Sequence, residues 1–362
     1  MVIIKVIQYG LAFLMIVLLG YQLVRSLWTL IGLRNIFSQP NQARQFAIVL
    51  LANKGQQMIS KSLYSIFGLV YPKNLYDVIV LGNCLSEEAA NTAREMGATI
   101  FDANDWLGKE ECKLHWVFKQ ILSGDKSYDA VLVIQSESLL SGNYLDVLNH
   151  YFDQGSSVIQ SSSLVLPESG SVWDKKNRFN FLRNNLLKPV GDELLGFSKS
   201  FRGNNFGFTT ETLKENLAIL PTFNQDKEYG LMLELKGIDV DFAPEAVVWK
   251  QMPIRADIVG NHSNKERFSF LKHYIPKLFK AAFRYKSLSY INKILDLITP
   301  SVLKVLVITL LMIAINILAW ALADTPFIFV WIWLCISILD LLIIVVGGYA
   351  INTYFQAYKS II

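Results

Sequence analysis

Three long apolar runs constrain this chain more than any other feature, because each is long enough that water is the wrong solvent for it. Val6 to Val24 is apolar apart from Gln8 and Gln22; near the other end come Val305 to Ala323 and Phe327 to Ile351, joined by Asp324-Thr325-Pro326. A helix needs roughly 20 apolar residues to cross a hydrocarbon layer ~30 Å thick, so the runs predict one N-terminal span and a C-terminal helical hairpin. The first run is longer than a signal-peptide core and no clear small-residue cleavage site follows it, which makes it an anchor. Composition agrees: 52% of the 362 residues are hydrophobic and 18% charged. The 34 basic and 30 acidic side chains leave a net charge of +4, too small an excess for a dedicated nucleic-acid binder. Cys84, Cys112 and Cys335 lie far apart and make neither a zinc-spaced pair nor a disulfide framework.

Basic residues set the expected orientation. Arg25, Arg34 and Arg44 follow the first span, a dense basic run from Lys265 to Lys304 precedes the second, and the hairpin turn has no lysine or arginine. The middle of the chain is therefore expected in the cytoplasm, with the N-terminus and hairpin turn outside and the C-terminus cytoplasmic. Four segments result: residues 1–34 as an anchor, 35–262 as a cytosolic domain, 263–300 as basic amphipathic interfacial helices, and 301–362 as the hairpin with a short tail. Cytosolic thiols stay reduced, and the sequon at Asn261-His262-Ser263 has no glycosylation role there. Lys277, Lys280 and Arg284 share one helical face while Phe279 and Phe283 share another, and Pro276 suits a first helical turn. Such a helix is expected to lie on anionic membrane lipid. Asp340 is costly if it faces lipid, so it is expected to face another helix, with Asn316 as its partner.

From Gln45 onward, short β-rich apolar runs alternate with amphipathic helical stretches, the pattern of an α/β domain with a mostly parallel sheet covered by helices. Strands are predicted near Phe46 to Leu51, Asp77 to Leu81, Thr99 to Phe101, Ala130 to Gln135 and Val158 to Gln160. Helices are predicted near Gln57 to Leu69, Ser86 to Met96, Cys112 to Leu122 and Gly142 to Gln154. In such sheets ligands bind beyond the carboxyl ends of the strands, which directs attention to the segments after Leu51, Leu81 and Ile134.

Those segments carry an ordered series of motifs. Asp77-Val78-Ile79-Val80-Leu81-Gly82-Asn83 and Ala93-Arg94-Glu95-Met96-Gly97-Ala98 come first, then Gly108-Lys109 with Lys113-Leu114-His115-Trp116-Val117-Phe118. Tyr128 to Ile134 runs into Gln135-Ser136-Glu137, and Arg202-Gly203-Asn204-Asn205-Phe206-Gly207-Phe208 follows. Gln225-Asp226 and then Asn264-Lys265-Glu266-Arg267-Phe268 close the series. Together they resemble the membrane-anchored family-2 glycosyltransferases. The resemblance implies a GT-A fold, Rossmann-like, for the cytosolic domain, with one N-terminal and two C-terminal transmembrane helices around it. It also implies a bacterial inner or plasma membrane, a nucleotide-sugar donor, and a lipid-linked or polysaccharide acceptor.

Residue roles follow from the same resemblance. Inverting sugar transfer needs a base for the acceptor hydroxyl, and Asp226 stands at the family's base position, although an aspartate there also caps a helix. Its neighbour Gln225 replaces a glutamate and joins Asn204 and Phe268 as expected acceptor contacts. Asn53, Asn83, Lys109, Gln135, Glu137 and Arg267 are the expected donor contacts, with Lys109 and Arg267 supplying charge to the diphosphate. The family holds a divalent cation, magnesium or manganese, on an Asp-x-Asp motif; here Gln135 replaces the first carboxylate, and Glu137 is the remaining metal ligand of a weakened or displaced site. Gly82 likewise replaces a nucleotide-binding aspartate. The losses leave a rival expectation: a catalytically reduced subunit that scaffolds a cell-surface polysaccharide or secretion assembly. The enzyme, too, is expected to need an export partner if its product is a polymer.

Overall fold

The structure is a computed structural model that describes residues 2–32, 42–52, 59–82, 85–102, 113–136, 138–165, 172–197, 205–218, 226–250, 264–299, 301–323 and 326–358. In chain order the strands are β1 (Phe46–Ala52), β2 (Tyr76–Gly82), β3 (Thr99–Asp102), β4 (Ala130–Gln135), β5 (Ser138–Leu140), β6 (Val158–Val165), β7 (Phe206–Thr209) and β8 (Asp241–Lys250). The helices are α1 (Val2–Gly32), α2 (Ile59–Phe67), α3 (Glu87–Glu95), α4 (Lys113–Ser123), α5 (Tyr144–Asp153), α6 (Val172–Leu182), α7 (Lys188–Leu194), α8 (Thr210–Asn216), α9 (Asp226–Leu235), α10 (Asn264–Tyr285), α11 (Ser289–Ile298), α12 (Val302–Ala323) and α13 (Ile328–Tyr358). Two compact units share these elements.

The sheet unit holds all eight strands, in the order β3-β2-β1-β4-β7-β6-β8-β5. β1 to β4 are mutually parallel, β7 runs against β4 and β6, and β5 runs against β8. The central strands read as continuous apolar runs because both faces are covered. Alternation still decides which face each residue serves. Phe46, Ile48 and Leu50 of β1 join Leu132 and Ile134 of β4 in a core under Leu63 of α2 and Tyr144 and Leu148 of α5. Ala47 and Val49 join Val131 and Val133 in a second core under Trp116 and Phe118 of α4 and Tyr229 and Leu233 of α9. Ser86 caps α3 by accepting from the Ala89 N–H at 3.2 Å, with Glu87 and Glu88 in the first turn.

β8 departs from regular pairing. Its register against β6 jumps between Ser161 and Ser162, which pair with Ala243 and Val247, so Pro244, Glu245 and Ala246 bulge out. A proline inside a strand is tolerated at such a bulge, where no ladder hydrogen bond is needed from it. The Ser162 hydroxyl closes the bulge by donating to the Pro244 carbonyl at 2.9 Å.

The helical unit assembles three separated segments, Met1–Arg34, Phe179–Phe197 and His262–Ala357. Residues 179–197, which lie inside the 35–262 segment, thus pack with the helices. Three helices here are long and apolar enough to cross a membrane, over Lys5–Ile31, Val302–Leu322 and Ile328–Gln356. The chain is an integral membrane protein. The α6 to α7 connection is a π turn, Arg183–Leu187, placed just before Pro189, whose missing N–H cannot extend an α-helical ladder. At Gly191 an added Cβ would lie 2.7 Å from the Arg25 carbonyl oxygen, so glycine lets α7 approach α1.

Two expectations change in this unit, and Arg25, which follows the first span, is answered by carboxylates: it is 3% exposed and paired with Asp192 and, at 2.7 Å, with Asp296. Pro276 stands inside the 22-residue α10 rather than in a first turn, because the helix already starts at Asn264. Asn316 is not the partner of Asp340; its amide donates to the Met312 carbonyl of its own helix at 2.8 Å, while the Arg183 charge acts on Asp340.

Candidate functional site

The carboxyl ends of four parallel strands lie side by side. Register puts Ala52 of β1 beside Gly82 of β2, Gly82 beside Asp102 of β3, and Leu51 beside Gln135 of β4. The expected donor contacts Asn53 and Asn83 follow these ends directly but lie outside the described residues, as do Lys109, Glu137, Asn204 and Gln225. The side chains of Asp226, Arg267 and Phe268 are also outside the description, although their backbones are placed at the starts of α9 and α10.

Gly82 has a packing reason. A Cβ built there would meet Leu85 Cγ at 2.7 Å and the Ala52 Cβ at 3.2 Å, so an aspartate does not fit without displacing Leu85. Asp102 is the acidic residue among the four strand ends, one strand over from Gly82. Sequence reasoning did not single it out.

Gln135 and the turn after it are held from three sides. The Ser136 N–H donates to the Leu51 carbonyl at 2.9 Å, continuing the β1 to β4 ladder past Gln135. From α2, the Ser62 hydroxyl donates to the Ser136 carbonyl at 2.5 Å, and Ser65 Oγ accepts from the Leu140 N–H at 2.7 Å. From the start of β7, Asn205 Oδ1 accepts from the Gln135 N–H and from the Ser138 hydroxyl, each at 3.2 Å. Asn205 is fully buried and has φ of 54°. Asparagine enters this left-handed region more easily than most residues. Its own carbonyl accepts from the Ser161 N–H and from Gln160 Nε2, both at 3.1 Å.

The Gln135 side chain has a cationic partner. Lys250 Nζ donates to Gln135 Oε1 at 2.8 Å, and both side chains are only partly buried. The bulge in β8 makes this meeting possible. Beyond it, β8 pairs with β5 as well as β6, which sets Lys250 opposite Ser138 and Val165. Within the bulge, Glu245 is buried, and this burial raises its carboxyl pKa while Tyr151 donates to its Oε2 at 3.0 Å.

Of the two Asp-x-Asp positions expected to hold a divalent cation, Glu137 lies outside the described residues and only Gln135 is described. Such ions take carboxylate oxygens, but residue 135 is an amide whose oxygen already accepts from an ammonium group. A cation placed on that oxygen would meet a like charge at short range. Among the described residues no group of three or more His, Cys, Asp or Glu converges on a point. No sequence motif marks Lys250, because only the bulge carries it to Gln135.

Residues 43–267 match the family model for glycosyltransferase like family 2, which covers more than half of the chain. The chain belongs to glycosyltransferase family 2. It is thus a glycosyltransferase, and its sheet is the GT-A domain of that family. Among solved structures, the mannosyltransferase PcManGT from Pyrobaculum calidifontis, in complex with GDP-Man and Mn2+, is similar at 13% identity. The match covers 94% of this chain and 98% of that chain, with a TM-score of 0.52. TarS 1-349 from S. aureus in complex with UDP-GlcNAc is similar at 12% identity over 65% of this chain and 66% of that chain, with a TM-score of 0.46. Glucosyl-3-phosphoglycerate synthase from Mycobacterium tuberculosis, bound to Mn2+, UDP and glucosyl-3-phosphoglycerate, shares 15% identity over 66% of this chain and 86% of that chain, with a TM-score of 0.43. No curated protein matches the chain by sequence.

Proposed function

We propose that this glycosyltransferase moves a sugar, with inversion, from a nucleotide-sugar donor to a lipid-linked or polysaccharide acceptor at the cytoplasmic face of a membrane. The observation that carries the reading is the edge formed by Ala52, Gly82, Asp102 and Gln135 within a family-2 domain, since ligands of parallel sheets bind beyond the strand ends. Asn53 and Asn83 extend two of those strands and would bind the nucleotide. Lys109, Glu137 and Arg267 would contact the diphosphate, and Asn204, Gln225 and Phe268 the acceptor.

Asp226 opens α9, a helix that packs through Tyr229 against Phe208 of β7 with ring centroids 5.6 Å apart. In the proposed reaction its carboxylate takes the proton of the acceptor hydroxyl as that oxygen bonds to the anomeric carbon. The bond from that carbon to the diphosphate breaks on the opposite face, and the nucleoside diphosphate leaves with the electron pair. The three spans and the basic α10 support delivery of the acceptor from the membrane. In orientation, residues 35–262 and the C-terminus would be cytoplasmic and the N-terminus outside.

The test uses the full chain in lipid nanodiscs with radiolabelled UDP- and GDP-sugars and a membrane lipid extract. Asp226→Asn is expected to lower transfer by about 100-fold or more, the usual share of general base catalysis, with nucleotide affinity unchanged. Transfer at the wild-type rate would remove Asp226 from the base role.

A further inference from the structure

We propose that Asn205 is a positioning residue for sugar transfer, one that holds the turn after β4 in a single geometry and ties that turn to the chain leaving the loop at Asn204. The inference rests on the transferase reading above, in which Glu137 contacts the donor's diphosphate and Asn204 the acceptor. The sheet order shows why such a tie is needed. Only Ser136 and Glu137 separate β4 from β5 in sequence, yet β7, β6 and β8 stand between them in the sheet. The sheet must therefore curl to bring β5 back to the end of β4, and the two linking residues lie where the curl closes. Among the described residues no ladder joins β4 directly to β5, so the seam is held by side chains.

Asn205, at the start of β7, supplies that hold. Its Oδ1 accepts from the Gln135 N–H and from the Ser138 hydroxyl, each at 3.2 Å, so one atom grips both residues that flank the link. An amide oxygen has two lone pairs, which these two donors fill. Its Nδ2 donates to Ser163 Oγ of β6 at 3.3 Å, which keeps the amide from rotating. Ser136, inside the link, is held to β1 through its N–H and to α2 through its carbonyl. Gln135, Ser136 and Ser138 are thus each anchored by a hydrogen bond, and residue 137 is spanned between anchored neighbours. The main chain of Asn205 is fixed as well. Its carbonyl takes two bonds from β6, and its φ of 54° sets the direction from which residue 204 enters β7. One fully buried residue therefore governs a donor-side turn and the exit of an acceptor-side loop. Transfer between two bound substrates is sensitive to such placement, because a shift of about 1 Å caused far from the reacting atoms can cost on the order of 100-fold in rate.

The experiment measures kcat and donor KM for the full chain in lipid nanodiscs, with radiolabelled UDP- and GDP-sugars and a membrane lipid extract, at a temperature well below the unfolding midpoint of every variant. Asn205→Gly tolerates the positive φ but lacks the amide. It is expected to lower kcat by about tenfold or more and to raise donor KM by about fivefold. Ser138→Ala removes one of the two bonds to Oδ1 and leaves the backbone at 205 untouched, and a rise of about threefold in donor KM is expected. The control is Asn216→Ala in α8, which removes an amide that donates to the Thr212 carbonyl at 2.9 Å. That variant is expected to lower the thermal midpoint and to keep the wild-type donor KM, because a purely structural change alters the amount of folded enzyme and leaves KM where it was. Wild-type KM for both Asn205→Gly and Ser138→Ala would overturn the inference and leave the transferase reading standing. Should Asn205→Gly not fold, the KM of Ser138→Ala decides alone. A wild-type chain that transfers no sugar and binds neither UDP nor GDP in calorimetric titration would overturn the transferase reading and this inference with it.

Discussion

Asn205 carries more of the site's geometry than its size suggests, because one side chain and one carbonyl together accept four hydrogen bonds from Gln135, Ser138, Ser161 and Gln160. Its amide nitrogen also donates to Ser163 Oγ at 3.3 Å. Asn205→Ala would leave the Gln135 N–H and the Ser138 hydroxyl without this acceptor in a buried setting, and would place alanine at positive φ. Roughly 1–3 kcal/mol per stranded group and a further 1–2 kcal/mol for the backbone make this a substitution that lowers the thermal midpoint clearly. Asn205→Gly removes the backbone part alone, so it is expected to be destabilised as well but by less. Thermal unfolding of both variants in detergent decides the point; an alanine variant as stable as wild type would show that the clasp is not needed. Sequence reasoning came within one residue of this hub, naming Asn204 from the loop motif. What marks Asn205 is its φ and its burial, and neither is written in a motif. Lys250 was further from reach, since its hydrogen bond to Gln135 depends on a three-residue bulge that brings the end of β8 beside that side chain.

Elements were legible in proportion to their periodicity. β1 to β4 and α2 to α5 lie within two or three residues of where apolar alternation and helical spacing predicted them. β6 runs on to Val165, five residues past the predicted end, because Ser161, Ser162 and Ser163 are buried polar residues that an apolar pattern does not count. β5 has only three residues, too few to show any period. In α10 the predicted faces are present although the helix starts earlier: Tyr274 and Leu278 are buried, while Phe279 and Phe283 are exposed and 5.3 Å apart by ring centroid. Exposed aromatics beside Lys280 and Arg284 are suited to a lipid interface. Nitroxide labels at Phe279→Cys and Phe283→Cys in proteoliposomes are expected to collide more with oxygen than with a water-soluble nickel chelate, and a label at Arg284→Cys is expected to show the reverse. Equal accessibility at all three sites would remove α10 from the membrane surface.

At the scale of the whole chain, the linear order of segments hides how the helical unit is built. Residues 25, 192 and 296 come from an anchor, from the middle of the chain and from the region before the hairpin, yet they meet inside that unit. Arg25 pairs with Asp192 and Asp296, Lys188 reaches Asp296 at 3.1 Å, and Asn292 Nδ2 donates to Asp192 at 2.9 Å. Two further bonds tie α1 to the π turn and α7: Thr29 Oγ1 donates to the Leu187 carbonyl at 3.0 Å, and Arg25 Nε to the Lys188 carbonyl at 3.2 Å. The positive-inside rule counts Arg25 simply as a charge beside a span, because a sequence shows the arginine without the two carboxylates that answer it more than 160 residues away. Such a cluster is stable only while its charges balance, since each buried ion has lost its water. Arg25→Met would strand Asp192, which is 0% exposed, and is expected to cost about 3–5 kcal/mol, enough to reduce the yield of folded protein in detergent. Adding Asp192→Asn to Arg25→Met removes the stranded charge while keeping an acceptor for Asn292, and is expected to recover part of the loss. Thermal midpoints and size-exclusion profiles of the single and double variants test this directly. A double variant no better than Arg25→Met would mean that the arginine acts through its packing against Gly191 and not through its charge.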